Sequence, residues 1–143
     1  NFKISDIKLE ENANEIKVFA SHDAYLKKFG YKHKREIIID KNNNCIYGND
    51  YMINDKNRNS VNYSIHFHLY PGIEAIKTRG GNSILIQFKK NKSLVFSSNK
   101  QNINVEKSVF LGGNKILNNF CIVISGKLIS SRETINWDIK KNI

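Results

Sequence analysis

His66, His68 and Tyr70 occupy alternate positions in one short stretch of the chain. In an extended strand, side chains two residues apart emerge on the same face about 7 Å apart, so these three can contact a single ligand. The intervening positions are apolar: Val61, Tyr63, Ile65, Phe67 and Leu69. This alternation predicts a strand with a core face and a polar face, although ordinary half-exposed strand residues would give the same pattern.

Two histidines separated by one residue on a strand can also share a zinc ion. A zinc site needs a third ligand and usually a second shell of hydrogen-bonding partners, and the sequence identifies neither. We therefore expect no metal and no other cofactor in this chain. A structural zinc in a longer parent protein is the alternative.

A second group of chemically capable side chains is His22, Tyr25, His33 and Arg35, on one predicted strand pair and its connection. Arginine can bind a carboxylate or sulfate through two parallel hydrogen bonds. Histidine exchanges protons near its reference pKa of about 6.5, and tyrosine supplies a hydroxyl. An acidic sugar would need these kinds of group.

The same stretch also permits a purely structural interpretation. His22 and Asp23 would cap a turn through side-chain hydrogen bonds. Residues 34 and 35 would form the solvent face of a strand whose core face continues as Ile37 and Ile39. The sequence leaves both interpretations open.

Motifs for other chemistries are absent. The sequence contains no phosphate-binding glycine loop, nucleophile-elbow serine, cysteine-rich metal motif or calcium loop. Cys45 and Cys121 are far apart and lack a short metal-type spacing, and whether they pair depends on the redox compartment.

The composition is that of a folded chain long enough for one domain, residues 1–143. Apolar residues make up 40% and charged residues 25%, with one proline and no long apolar run. This composition argues against disorder and predicts no integral membrane segment. Because the chain begins with Asn1 and its one methionine is Met52, we expect a mature form or a piece of a longer protein.

The formal net charge of +10 favours an anionic partner such as nucleic acid, anionic lipid or acidic polysaccharide. The lysines are scattered, however, and accompany many asparagines and isoleucines, which is typical of codon bias in an AT-rich genome. We therefore predict no nucleic-acid partner, and keep a nucleic-acid-binding β domain only as an alternative.

Short β-branched runs recur about every ten residues, bounded by Asn, Gly, Asp and Lys, while helix-period patterns are almost absent. This spacing predicts an all-β fold, an antiparallel β-sandwich of about ten strands. The predicted strands are residues 15–21, 31–40, 45–53, 62–70, 73–77, 83–89, 93–98, 103–111, 119–129 and 134–139. Residues 1–14 show no committed pattern, and residues 54–59 contain no apolar side chain, which predicts an exposed loop.

Several short motifs follow one another in a characteristic order. They are Ala20-Ser21-His22-Asp23-Ala24-Tyr25, Phe29-Gly30, His33-Lys34-Arg35, Gly48-Asn49-Asp50, His66-Phe67-His68-Leu69-Tyr70-Pro71-Gly72-Ile73, Glu106-Lys107-Ser108-Val109-Phe110-Leu111-Gly112-Gly113 and Trp137. In this order, from Ala20 onwards, the chain resembles the C-terminal β-sandwich of heparinase II/III-like proteins, particularly a branch common in alphaproteobacteria. That branch tends to have glycine at Ala24, arginine at Lys34 and His66, and histidine at Tyr70.

The resemblance implies a polysaccharide lyase that acts by β-elimination. The uronate carboxylate is neutralised, a base removes the adjacent proton, and an acid protonates the leaving oxygen, with tyrosine and histidine in the last two roles. The expected catalytic residues are therefore His68 and Tyr70. The expected substrate-binding residues are His22, Tyr25, His33, Arg35 and His66.

The resemblance also implies partners and a location. The substrate is an acidic polysaccharide, held between the β domain and an amino-terminal α/α toroid of the same parent protein, which this chain lacks. We therefore expect the isolated chain to be inactive and the parent to be in the cell envelope or periplasm. The alternative is a non-catalytic β-sandwich that binds acidic carbohydrate.

Overall fold

A computed structural model describes residues 3–54, 60–90 and 92–142. Within these ranges the chain forms eleven strands and one short helix. The elements are β1 (Ile4–Glu11), β2 (Glu15–His22), α1 (Leu26–Phe29), β3 (Tyr31–Asp40), β4 (Cys45–Asn54), β5 (Val61–His68), β6 (Glu74–Lys77), β7 (Ser83–Lys89), β8 (Lys92–Ser98), β9 (Ile103–Gly112), β10 (Lys115–Leu128) and β11 (Arg132–Lys141). The predicted all-β fold is confirmed.

The strands form two sheets. One has eight strands in the order β1-β2-β3-β4-β11-β8-β7-β6, and the other has three in the order β5-β10-β9. The hairpins β2–β3, β3–β4, β7–β8 and β9–β10 are antiparallel, as short connections favour. The described residues include no helix with the length and hydropathy that crossing a bilayer requires.

Contacts divide the chain into two compact units. The first consists of Asn1–Tyr63 and Lys127–Asp138, and the second of Ser64–Gly126 and Ile139–Ile143. The first unit buries Tyr31, Cys45, Met52, Leu128, Ile135 and Trp137. The second buries Ile65, Ile84, Ile86, Phe96, Ile103, Ile122 and Ile124. Each unit therefore has apolar side chains removed from water, which supplies its main stabilisation.

The β3–β4 hairpin fixes the register of the first unit. Its turn forms because the Asp40 carboxylate accepts hydrogen bonds from the backbone N–H groups of Asn42 and Asn43, both at 3.0 Å. The turn places Asp40 opposite Cys45, and this first pair sets the register of all the other residue pairs between β3 and β4. A short polar turn thus determines which side chains of β3 face which side chains of β4.

Strand β1 corrects the expectation that residues 1–14 have no regular structure. It pairs with β2, with Leu9 opposite Val18. A bulge interrupts the pairing, and within it Asp6 has a left-handed φ of 55°. Because the bulge shifts the two-residue alternation, the sequence pattern of this strand is hidden.

The one-turn helix α1 was also not predicted. It ends at Gly30, whose φ of 80° and N–H bond to the Leu26 carbonyl oxygen form a left-handed cap. Of the loop predicted at residues 54–59, Asn54 is instead the buried last residue of β4. The rest of that predicted loop, residues 55–59, lies outside the described residues.

Strand β5 confirms the alternation read from the sequence. Ile65 is buried and its neighbours on that face are half-buried, whereas His66 and His68 on the other face are exposed. On the core side, the Phe67 ring packs against Phe96 with centroids 4.9 Å apart. The polar face of β5 is therefore available to a ligand.

Candidate functional site

In the first unit, predicted site residues surround one completely buried carboxylate, that of Asp50 on β4. His33 Nε2 lies 2.6 Å from its Oδ1. Arg35 donates from Nε to Oδ1 at 2.7 Å and from Nη2 to Oδ2 at 3.1 Å. Trp137 Nε1 donates to Oδ2 at 2.9 Å. Four hydrogen bonds thus satisfy an anion that has no contact with solvent.

The ionisation of Asp50 reflects two opposing effects. Burial raises the pKa of this carboxyl, but hydrogen bonds from His33 and Arg35, the Arg35 charge and the Trp137 N–H outweigh it, so the pKa lies below the ordinary value of 3.8. Asp50 is therefore a carboxylate at neutral pH. Its charge is matched by the Arg35 guanidinium beside it.

A second histidine extends the cluster away from Asp50. His33 Nδ1 lies 3.0 Å from His22 Nε2, and His22 Nδ1 accepts a hydrogen bond from the Ala24 backbone N–H at 3.3 Å. With both rings neutral, this pattern assigns one orientation: His22 Nε2–H donates to His33 Nδ1, and His33 Nε2–H donates to Asp50. We call His22, His33 and Asp50 the relay.

The outer end of the relay faces an exposed tyrosine. The Tyr25 ring packs edge-on against His22 with centroids 5.1 Å apart, and Tyr25 is 46% exposed. Burial, and then the neighbouring His33, lower the pKa of His22 below its ordinary value of 6.5. At neutral pH His22 is therefore an uncharged imidazole, coupled through His33 to a buried anion.

The structure brings His22, Tyr25, His33 and Arg35 together, and it separates the two interpretations of their sequence. His22 does accept a backbone N–H in a turn, as the structural interpretation predicts. Placing Arg35 on the solvent face was wrong, because residues alternate along β3 and its guanidinium binds the buried Asp50.

Sequence reasoning missed Asp50 and Trp137 as site residues. Asp50 could have been found from the register of the hairpin. If Asp40 is opposite Cys45, then Arg35 is opposite Asp50 and the two side chains can pair. Trp137 comes from β11, far along the chain, and packs against Gly48. A Cβ built on Gly48 would lie 2.0 Å from the indole ring. No local pattern indicates this contact.

The second unit carries another cluster, on the polar face of β5. His66 Nδ1 lies 3.7 Å from the Cys121 thiol, and His66 Nε2 lies 3.0 Å from Ser64 Oγ. His68 Nδ1 lies 3.3 Å from Ser108 Oγ. The two imidazole rings are nearly parallel, with centroids 6.1 Å apart. The structure therefore adds a cysteine to the predicted histidine pair.

Tyr70, the third member of the predicted row, is 67% exposed and packs edge-on against Phe110, with ring centroids 5.4 Å apart. Nearby in the second unit is a cleft of about 370 Å³. It is lined by Gly72, Ile73, Glu74, Lys107, Ser108, Asn118, Asn119 and Phe120. Because Ser108 also contacts His68, the cleft adjoins the histidine cluster.

One wall of the cleft carries an acceptor without a partner. Asn119 is 6% exposed, and its Nδ2 donates to the Leu69 carbonyl oxygen at 2.7 Å. Its Oδ1 is buried and accepts no hydrogen bond. An unsatisfied buried acceptor of this kind costs free energy.

Both cysteines are buried and free, which settles the question of a disulfide between Cys45 and Cys121. Burial raises the pKa of the Cys121 thiol, and the Glu106 carboxylate adds to the effect, against a hydrogen bond from the Phe67 backbone that lowers it. The side chain is therefore a thiol at neutral pH in the absence of a bound cation.

Comparison with known proteins identifies the family. A search of curated proteins found no match. The crystal structure of heparan sulfate lyase HepC from Pedobacter heparinus matches with a TM-score of 0.79 and 14% identity, over 97% of this chain and 22% of that chain. The match confirms the predicted heparinase-type β-sandwich, and the chain spans only about a fifth of HepC. The family described as "Heparinase II/III-like, C-terminal" matches residues 2–138, and the chain belongs to that family.

Proposed function

We propose that this chain is the carboxy-terminal β portion of a lyase that cleaves uronate-containing polysaccharide by β-elimination. The observation that carries the proposal is the relay beside exposed Tyr25, in a chain that belongs to the heparinase II/III-like C-terminal family. This arrangement places an uncharged imidazole beside a phenol hydroxyl, two kinds of group that can hydrogen-bond to an acidic sugar.

β-Elimination requires the uronate carboxylate to be neutralised before the adjacent proton can leave. His22, Tyr25, His33 and Arg35, which lie together in the first unit, are the proposed substrate-binding residues. Because Arg35 is paired with Asp50 and His22 is an uncharged imidazole at neutral pH, we propose that the exposed Tyr25 hydroxyl donates a hydrogen bond to the substrate carboxylate.

His68 and Tyr70 are the residues proposed to exchange protons with the sugar. His68 is the last residue of β5, and Tyr70 lies two residues beyond it. Both side chains are exposed, so the imidazole and the phenol can reach a bound polymer. His66 is proposed as a further substrate contact. A tyrosine with an ordinary pKa of about 10 needs activating neighbours and exclusion of water to act as a base.

A larger parent protein supplies what this chain lacks. We propose that residues 1–143 are the carboxy-terminal part of a protein with an amino-terminal α/α toroid, which provides the other side of the cleft. The family resemblance also supports placing this parent in the cell envelope or periplasm. Fractionation of cells with an antibody against the chain tests the location, and recovery with the cytosolic fraction would contradict it.

The lyase proposal is tested on the full-length parent with heparin, heparan sulfate, alginate and polyglucuronate. The ultraviolet absorbance of the unsaturated uronate reports elimination. His68→Ala and Tyr70→Phe should each lower the rate by about 100-fold or more, the usual loss when a general acid or base is removed. Tyr51→Phe removes a phenol outside both clusters and should leave the rate unchanged. Full activity in both site variants would contradict the assignment.

A second candidate is a non-catalytic domain that binds acidic carbohydrate. It is favoured by the cleft, whose lining combines the Lys107 ammonium with the polar side chains of Ser108 and Asn118. A parent protein that eliminates none of the four polymers, while the chain binds one of them with an affinity that falls steeply with salt, would support this candidate.

A further inference from the structure

We infer that His66, His68 and Cys121 form a binding site for a zinc ion. This inference goes beyond the proposed lyase function and does not rest on it. The ligand atoms of the three side chains all lie within 4.8 Å of one another. Zinc binds well to imidazole and thiolate ligands, whereas magnesium and calcium bind oxygen ligands. Two imidazoles and a thiolate therefore favour zinc.

The observed spacing is close to that of a tetrahedral zinc site. With Zn–S of about 2.3 Å and Zn–N of about 2.0 Å, tetrahedral angles place sulfur and nitrogen about 3.5 Å apart. The distance between Cys121 Sγ and His66 Nδ1 is 3.7 Å. The ion can therefore bind with only small side-chain movements.

A second shell already orients both histidines. Ser64 holds Nε2 of His66, and Ser108 holds Nδ1 of His68. Each ring therefore has one nitrogen bonded to a serine hydroxyl and a second nitrogen that can bind the ion. This is the usual arrangement around metal-ligating histidines, where an outer partner fixes the tautomer and the ring orientation.

Local charge favours a cation, and the geometry leaves a coordination position open. Glu106 lies directly opposite Cys121 in the β9–β10 ladder. Its carboxylate offsets part of the positive charge of the ion, and Cys121 loses its thiol proton to solvent when the Zn–S bond forms. Because His66 and His68 are exposed, the fourth position is open to water or to a ligand oxygen.

The inference revises the expectation that the chain binds no metal. That expectation rested on the missing third ligand. Cys121 is separated from His66 by 55 positions, so only the placement of β10 beside β5 reveals it. If His68 binds zinc, its metal-bound nitrogen has no lone pair for proton transfer, so zinc-loaded and zinc-free protein would differ in their use of this residue.

Cobalt(II) and zinc(II) chloride titrated into the purified chain test the site. We expect one cobalt per chain, with a thiolate-to-cobalt charge-transfer band and the intense visible bands of tetrahedral coordination, both abolished when zinc is added. Cys121→Ser should remove the charge-transfer band. His66→Gln, at an exposed position that does not threaten folding, should weaken cobalt binding by at least about tenfold.

Cys45→Ser is the matched control, because Cys45 is the other buried free cysteine. It should keep the full cobalt spectrum and the same affinity. The inference is overturned if wild type shows no charge-transfer band, if Cys45→Ser loses that band while Cys121→Ser keeps it, or if His66→Gln binds cobalt as tightly as wild type. None of these measurements uses lyase activity, so the site and the proposed function can fail independently.

Discussion

Asp50 carries a negative charge in a position with no solvent contact, and the surrounding donors are arranged to meet it. A buried ion pair of this kind adds little stability compared with apolar side chains of the same volume. Removing one partner is costly, because it leaves the other partners desolvated and unpaired.

Replacing Asp50 tests how much the stability of the protein depends on this buried carboxylate. Asp50→Ala should lower the free energy of unfolding by about 3 kcal/mol, because Arg35, His33 and Trp137 would all lose their acceptor. Urea unfolding followed by tryptophan fluorescence measures the change. Glu74→Gln, at an exposed carboxylate, should change it by less than about 0.5 kcal/mol. Equal, small effects of the two substitutions would contradict the structural role of Asp50.

Stability should also rise with pH, and two of the contributing groups belong to the relay. The pKa of Asp50 is lowered in the fold, so the unfolded chain binds this proton more tightly, and the stabilisation is lost as pH falls through 3.8 and below. The pKa of His22 is lowered as well, so stability also falls as pH drops through 6.5.

Unfolding midpoints measured from pH 8 to pH 3 separate these two contributions. His22→Gln should flatten the profile near pH 6.5 and below, and Asp50→Asn should flatten its acidic end. A wild-type midpoint that increases as the pH falls would have the wrong sign for both groups.

At the level of elements, the β3–β4 hairpin and β11 together build the relay, and Gly48 determines how closely they pack. Its missing side chain makes room for the Trp137 indole, whose ring atoms lie 2.0 Å from where a Cβ would be. This close approach lets the Trp137 N–H reach Asp50. A glycine on β4 thus positions a hydrogen bond two residues further along the same strand.

Gly48→Ala should therefore destabilise the protein by at least about 2 kcal/mol, because the indole must move and its bond to Asp50 is lost. Gly80→Ala is the control, since a Cβ at Gly80 meets no atom within 4 Å. It should be neutral or slightly stabilising. Comparable thermal melting of the two variants would show that the indole does not depend on Gly48.

The same elements show what the sequence reveals. Alternation identified β5 and its two faces, since a half-buried strand follows a two-residue period. The two-residue period did not reveal β1, because the bulge around Asp6 changes which face of the strand the following side chains occupy. Residues of the candidate clusters with distinctive chemistry, such as His22 and His33, were predicted from their residue types. Asp50, Trp137 and Cys121 were missed because their roles depend on which strands lie side by side.

For the molecule as a whole, composition and the order of motifs predicted the fold class and the family. Charge did not identify a partner, because a net charge of +10 describes the entire surface and not one site. The two units each present a chemically distinct cluster, one built on a buried carboxylate and one on two histidines and a cysteine. We propose that this chain contributes to a lyase site that it does not complete.

The most direct test compares the full-length parent with the isolated chain, at equal concentration, in the absorbance assay for unsaturated uronate. We predict steady product formation by the parent on at least one uronate polysaccharide and none by the isolated chain. A parent that is inactive on every polymer, or an isolated chain that produces unsaturated uronate at the parent's rate, would contradict the account.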